Sequence, residues 1–163
     1  MEIGAVVVNL LDVAPAPGAE ALDAALVRLS ARGEAMLAAT SNANAPRLTG
    51  LLDSGAIDGA TAQTFRAIGG DYSEIATCSF DAGVVYLSAT ARPARVRVAK
   101  AIRVGKALTA SGDSGTILCT TDEGARLAIG TCVGLDGAGS LFAPLDRAVD
   151  AFAGAVGPLA LLP

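Results

Sequence analysis

From Ala82 to Gly112 the chain carries no acidic residue, yet six of its twelve Lys and Arg residues fall between Arg92 and Lys106. Such a segment cannot neutralise itself. It folds either with its cations in water or against carboxylates brought from elsewhere. The other stretches hold six basic residues against all sixteen acidic ones, so the molecule is electrically two-sided. A field of that kind steers association with something negative, either a phosphate backbone or an acidic face of another copy. Within the segment, Val96 and Val98 alternate with Arg95 and Arg97 after Pro93, which describes a half-buried strand. Ile102 and Val104 keep that parity, but Lys100 and Lys106 fall on the apolar side, so a bulge or strand end is expected near Lys100.

The rest of the chain is sparing with charge. Only 17% of its 163 residues are charged and 52% are apolar, against roughly 25% charged in an average soluble domain. Part of the apolar excess is Ala, which costs little to expose. The balance still favours a subunit that buries surface against neighbours. Met1-Glu2 opens with an acid instead of a basic leader, and no apolar run approaches the roughly 18 to 20 residues needed to span a bilayer. A cytoplasmic or virion location without a signal peptide or membrane contact is the expectation.

The chain reads as a single domain over 1–163. An N-terminal strand or arm occupies 1–18, a helical part 19–70, an antiparallel β part 71–142, and a closing helix with an apolar tail 143–163. Ile3 to Leu11 is β-branched and mostly apolar, hence a strand or docking arm, and Pro15, Pro17 and Gly18 then break it. Leu22, Leu26, Leu29, Met36 and Leu37 share a stripe at helical spacing, which predicts one long helix over about Ala19 to Ala39. Ala60 to Ile68 reads as a short helix stopped by Gly69-Gly70, after turns at Asp53-Ser54-Gly55 and Asp58-Gly59. Ile75 to Phe80 and Val84 to Thr90 are expected to pair as a hairpin around Asp81-Ala82-Gly83. Thr116 to Thr120 and Ala125 to Val133 are expected to pair around Asp122-Glu123-Gly124, with Cys119 opposite about Leu127. Leu141-Phe142 adds a short strand, and Pro144 and Gly154 bracket a last helix with Leu145, Val149 and Phe152 on one face. The expected class is therefore α+β: an N-terminal strand and long helix, an antiparallel β-meander or small barrel, and a short C-terminal helix. The apolar ends, Ile3 to Leu11 and Phe152 to Leu162, are expected to be docked, at least one against a neighbouring subunit.

Chemistry-bearing patterns are few. The chain has no histidine, which removes Ser-His and Cys-His pairs, imidazole acid–base work and most transition-metal sites. Cys78, Cys119 and Cys132 make an odd set without CxxC and read as small buried residues. Most acids precede Gly, as at Asp58-Gly59, Glu123-Gly124 and Asp136-Gly137, which is turn chemistry. Asp146 and Asp150 are spaced i,i+4 and read as the solvated side of the last helix. Gly134-x-x-Gly137-x-Gly139 follows a strand but lacks the order and the Lys-Ser/Thr of a phosphate loop, so it reads as a plain loop. No catalytic, cofactor or metal residue is assigned. Arg92, Arg95, Arg97 and Arg103 are the candidate partner-binding residues.

At Val104-Gly105-Lys106-Ala107-Leu108, and again at Ala128-Ile129-Gly130-Thr131-Cys132-Val133-Gly134-Leu135, the β half resembles small phage head-decoration proteins. Those proteins are rich in Ala and Gly, poor in Cys, and built of short strands that clamp onto a capsid lattice. The resemblance covers about residues 96 to 142 and implies a structural role without carrying over any functional residue. The function expected is a structural subunit of a homo-oligomeric or lattice assembly, a virion component, whose partners are copies of itself or another coat-type protein. A small oligomeric enzyme or ligand-binding domain with a site at the subunit boundary is the rival reading. A phosphate or nucleic-acid binding module is the third.

Overall fold

The computed structural model describes residues 4–9, 24–40, 48–66, 71–80, 84–88, 95–99, 101–122, 124–137 and 139–159. Strand β1 (Gly4–Asn9) is followed by β2 (Ala25–Leu29), helix α1 (Ala31–Thr40) and β3 (Leu48–Leu51). A 3₁₀ turn at Ser54–Ala56 leads into β4 (Thr61–Arg66), β5 (Asp71–Tyr72) and β6 (Ala76–Phe80). Next come β7 (Val84–Ser88), β8 (Arg95–Ala99), β9 (Ile102–Val104), β10 (Ile117–Thr120), β11 (Arg126–Asp136), β12 (Gly139–Pro144) and α2 (Leu145–Val156).

Six strands close on themselves in the order β4–β6–β9–β12–β11–β10 and back to β4, with every neighbouring pair antiparallel. The two-residue β5 extends the β4 side, and β3 lies parallel against the start of β11. Closure satisfies the backbone groups that an open sheet would leave at its edges. A barrel this narrow has room inside only for side chains. Ile57, Ala62, Cys78, Ile102, Val104, Leu118, Ile129 and Phe142 fill it, each almost wholly excluded from water. Strand β12 is buried along its whole length, and α2, which follows it directly, lies against β11 with Ala148 and Phe152 buried. Gly130 lets β11 approach β12: a Cβ there would stand 2.6 Å from the Ala143 carbonyl oxygen.

The architecture is mainly β, and this corrects the α+β expectation. The long N-terminal helix is absent. Within 19–39, Ala25–Leu29 is a strand paired with β1, and helix begins only at Ala31. Ser30 explains the switch: Gly33 N donates to Ser30 Oγ at 3.1 Å, an N-cap bond that starts the helix one residue later. Leu26 and Leu29 fit a strand as well as a helix, and the ladder to β1 decides between them. The short helix expected over Ala60 to Ile68 is strand β4. Its Ala62 and Thr64 are fully buried, and pairing with β10 overrides the helix preference of the alanines.

The β6–β7 hairpin is also replaced. β6 pairs with β4 and β9, while β7 pairs with β8; the Asp81-Ala82-Gly83 segment lies outside the described residues. The loop expected over Gly134 to Gly139 is shorter, because β11 runs to Asp136 and β12 resumes at Gly139, with Gly137 at φ 59° in the turn. Cys119 stands opposite Ala128, one residue from its expected partner, because the β10–β11 register shifts between Leu118 and Cys119. The last helix passes through Gly154 and stops at Gly157, whose φ of 92° favours glycine.

One buried polar cluster fixes the loop after β9. Ser140 Oγ, inside the barrel wall, accepts from Leu108 N at 2.9 Å, Thr109 N at 3.1 Å and Thr109 Oγ1 at 2.9 Å. Replacing Ser140 with Ala leaves these buried donors short of an acceptor. The expected loss is about 1–3 kcal/mol, read as a fall in Tm of roughly 2–12 °C for a chain of this size. An unchanged melting curve would show that the loop is held by its apolar contacts alone.

Candidate functional site

Three of the four arginines singled out in the sequence lie on described strands. Arg95 and Arg97 lie on β8, Arg103 lies on β9 in the barrel wall, and Arg92 falls outside the described residues. Arg103 is half-buried, and its carbonyl accepts from Ser79 Oγ at 3.3 Å, so this residue is built into the barrel. Lys106 pairs with Glu74 at 3.1 Å across exposed surface. Such a pair is screened and contributes little to stability.

β7 and β8 form a two-stranded sheet of their own. They are inserted between β6 and β9, which are neighbours in the barrel. Phe80 stands opposite Ile102 there, and in the insertion Val84 stands opposite Ala99 and Ser88 opposite Arg95. The chain therefore leaves the barrel wall from β6, runs out along β7, returns on β8 and rejoins at β9. β8 ends at Ala99, next to the strand end expected near Lys100. Opposed residues of an antiparallel pair share a face. In this ribbon Val85 stands opposite Val98, Tyr86 opposite Arg97 and Leu87 opposite Val96. β1 and β2 make a second two-stranded ribbon, in which Val6 stands opposite Val27.

The barrel end from which the inserted ribbon departs is braced. Phe80 N donates to Asp58 Oδ1 at 3.4 Å, and the Arg147 guanidinium lies over the Phe80 ring, 5.9 Å from its centroid. Asp146 is not a solvated acid, as the spacing had suggested: its Oδ2 accepts from Ser54 N at 2.8 Å and Ser54 Oγ at 2.6 Å. It ties the 3₁₀ turn to the start of α2. Asp150 is exposed, as expected.

Sequence reasoning missed Arg126. This residue is buried at the start of β11, with its guanidinium 4.1 Å from the centroid of the Tyr72 ring and Nη1 donating to the Tyr72 hydroxyl. Its Nε is buried without an acceptor. Tyr72 in turn meets Phe65 edge to face, with centroids 5.1 Å apart. Leu48, Phe65, Ile117 and Cys119 line an open groove of about 360 Å³ on the outer wall, and a second groove of about 380 Å³ lies between Ala24–Ala25 and Phe152 on α2. The barrel interior is filled by side chains, and among the described residues no three His, Cys, Asp or Glu side chains converge as metal ligands would. No helix is long and apolar enough to cross a membrane among the described residues. Searches against family models, curated proteins and solved structures find no match to this chain.

All three cysteines are buried and free. Burial pushes the Cys78 and Cys119 thiols up to about 11 from an ordinary 9.0. At pH 8 only about one such thiol in a thousand is ionised, so native protein should react slowly with a thiol reagent and denatured protein fast. The unfolded thiols release protons near 9.0 and the native ones only near 11. The unfolded state thus binds fewer protons in that window, and stability should fall as pH rises from about 9 to 11. Denaturant midpoints across that range should flatten when Cys78 and Cys119 are both replaced by Ala. An equal slope in that variant would show the thiols are not its source.

A second expectation concerns Arg126. A buried cation held by one phenol and one ring, with Nε unpaired, gains little over an apolar side chain of similar length. Arg126→Met should leave Tm unchanged or raise it by a few degrees, corresponding to about 1 kcal/mol or more. A clear fall in Tm would show that the Tyr72 contact outweighs the cost of burial.

Proposed function

We propose that this chain is a structural subunit that assembles with copies of itself, of the kind that builds or decorates a virion. The observation that carries this reading is the β7–β8 ribbon: a two-stranded sheet inserted into a closed barrel and bearing Arg95 and Arg97 of the basic run. A two-stranded sheet alone is marginal in water and gains from a third surface. In an otherwise acidic chain, a neighbouring copy supplies both cover and opposite charge. A barrel packed with side chains is a scaffold suited to presenting such an arm. The likeness of residues 96 to 142 to small phage head-decoration proteins favours the same reading.

The test is the mass of the purified protein by light scattering, with particle shape from electron microscopy. Several copies per particle are expected, dissociating on dilution and at high salt. A mass of 16.1 kDa from micromolar to millimolar concentration would overturn the proposal.

A further inference from the structure

Arg126 is the one buried charged side chain among the described residues, at 9% exposure. A guanidinium taken out of water needs a carboxylate or a full set of acceptors, or it costs stability. Arg126 has neither. Its Nη1 donates to the Tyr72 hydroxyl, and the Tyr72 ring lies against the charge. Nε is buried with no acceptor, and no carboxylate of the described residues pairs with the group. Nη1 is therefore in use, while the edge made by Nε and Nη2 has no partner. A carboxylate is the group whose two oxygens match such an edge bidentately.

A groove of matching character lies beside it. The groove of about 360 Å³ on the outer wall is lined by Leu48, Phe65, Ile117 and Cys119, together with Ser114 and Thr116. Two ladders bring it to Arg126. Leu48 stands opposite Arg126 in the parallel pair of β3 and β11, and Phe65 stands opposite Tyr72 in the pair of β4 and β5. Phe65 also meets the Tyr72 ring edge to face. Each partner of the cation–ring contact thus has a strand neighbour in the groove wall. The volume falls within the roughly 300–1,000 Å³ of small-molecule sites, and the walls are mainly apolar with a few polar groups. No second cation lines the groove, so a singly charged anion suits it better than a phosphate.

We propose that this groove binds a small monocarboxylate with an apolar body, its carboxylate on the Nε–Nη2 edge of Arg126 and its body along Leu48, Phe65 and Ile117. The site belongs to the barrel wall and stands apart from the inserted ribbon on which the assembly reading rests. Nε is closed to water, so the carboxylate reaches it by parting the Tyr72 ring from the guanidinium. Tyr72 is partly exposed and belongs to a two-residue strand, so little structure has to move. Burial then favours the ligand, because an ion pair formed away from water is stronger than the same pair in bulk solvent. A cation whose removal is expected to cost the fold nothing thereby gains a use.

Hexanoate, octanoate and 3-phenylpropanoate are the probes, with 1-octanol as the uncharged control, each titrated into the purified protein by calorimetry. At least one carboxylate should bind. Octanol should bind at least about tenfold more weakly than octanoate, the loss expected when a charged hydrogen-bonded pair is removed. Arg126→Met keeps the apolar walls and should lose the same factor in carboxylate affinity. Tyr72→Phe removes the hydroxyl that competes for the guanidinium but keeps the ring, and should bind the carboxylate at least as tightly as the wild type. Leu48→Glu places a carboxylate opposite Arg126 in the ladder and should abolish binding. A wild type that binds none of the three carboxylates at millimolar concentration overturns the proposal. So does octanol binding as tightly as octanoate, or Arg126→Met binding octanoate unchanged, since the groove is then an apolar surface only. The octanol comparison uses the wild type alone and decides the point even where Arg126→Met fails to fold.

Discussion

The ladder between β10 and β4 is the interaction on which the rest of the molecule depends. Leu118 opposite Thr64, Cys119 opposite Gln63 and Thr120 opposite Ala62 convert an open sheet into a tube. Without that seam, β10 and β4 would each expose a row of backbone groups, and Leu118 and Ala62 would lose the enclosure that keeps them dry. Closure also sets how the core is filled. With six strands the interior accommodates Phe142, Ile102, Ile129 and Val104 in contact, and a polar residue such as Ser140 is tolerated because three donors converge on its hydroxyl.

That seam also explains which parts of the fold were legible in the sequence. Alternation of apolar and polar residues located the strands at Ile75 to Phe80, Thr116 to Thr120 and Ala125 to Val133 to within a few residues, and Pro144 marked the start of the last helix. A hairpin turn around Asp122 and Gly124 was readable because both strands lie beside it. Partners distant in the chain were not. Asp81-Ala82-Gly83 has the composition of a hairpin turn, yet the barrel partner of β6 is β9, which returns only after the inserted ribbon. Ala60 to Phe65 carries no decisive local preference, and contact with β10 makes it a strand. The leucines of 22 to 29 satisfy a helical stripe, and the outcome turns on a Ser30 cap and on β1, neither of which periodicity weighs.

The candidate site was legible as charge but not as geometry. The basic run is visible in the sequence, and β8 takes the alternation of Arg95 and Arg97 with Val96 and Val98. What no composition reveals is that Arg103 belongs to the barrel wall while Arg95 and Arg97 stand on an insertion. Arg126 had no sequence signal at all, since Tyr72 lies 54 positions away and the two meet only through the barrel.

The placement of the basic residues follows from what a closed barrel tolerates. Its wall offers little free edge, and a run of like charges packed along it would repel itself at close range. Where the run does touch the barrel, it is held by local partners: Lys106 meets Glu74, and the Arg103 backbone is engaged by Ser79. Arg95 and Arg97 are instead carried on β8, which is inserted with β7 between two strands that are neighbours in the barrel. An insertion at that point leaves the ladder beneath it intact, because Phe80 and Ile102 still face each other at its base. The barrel therefore keeps its own stability separate from the charge it displays.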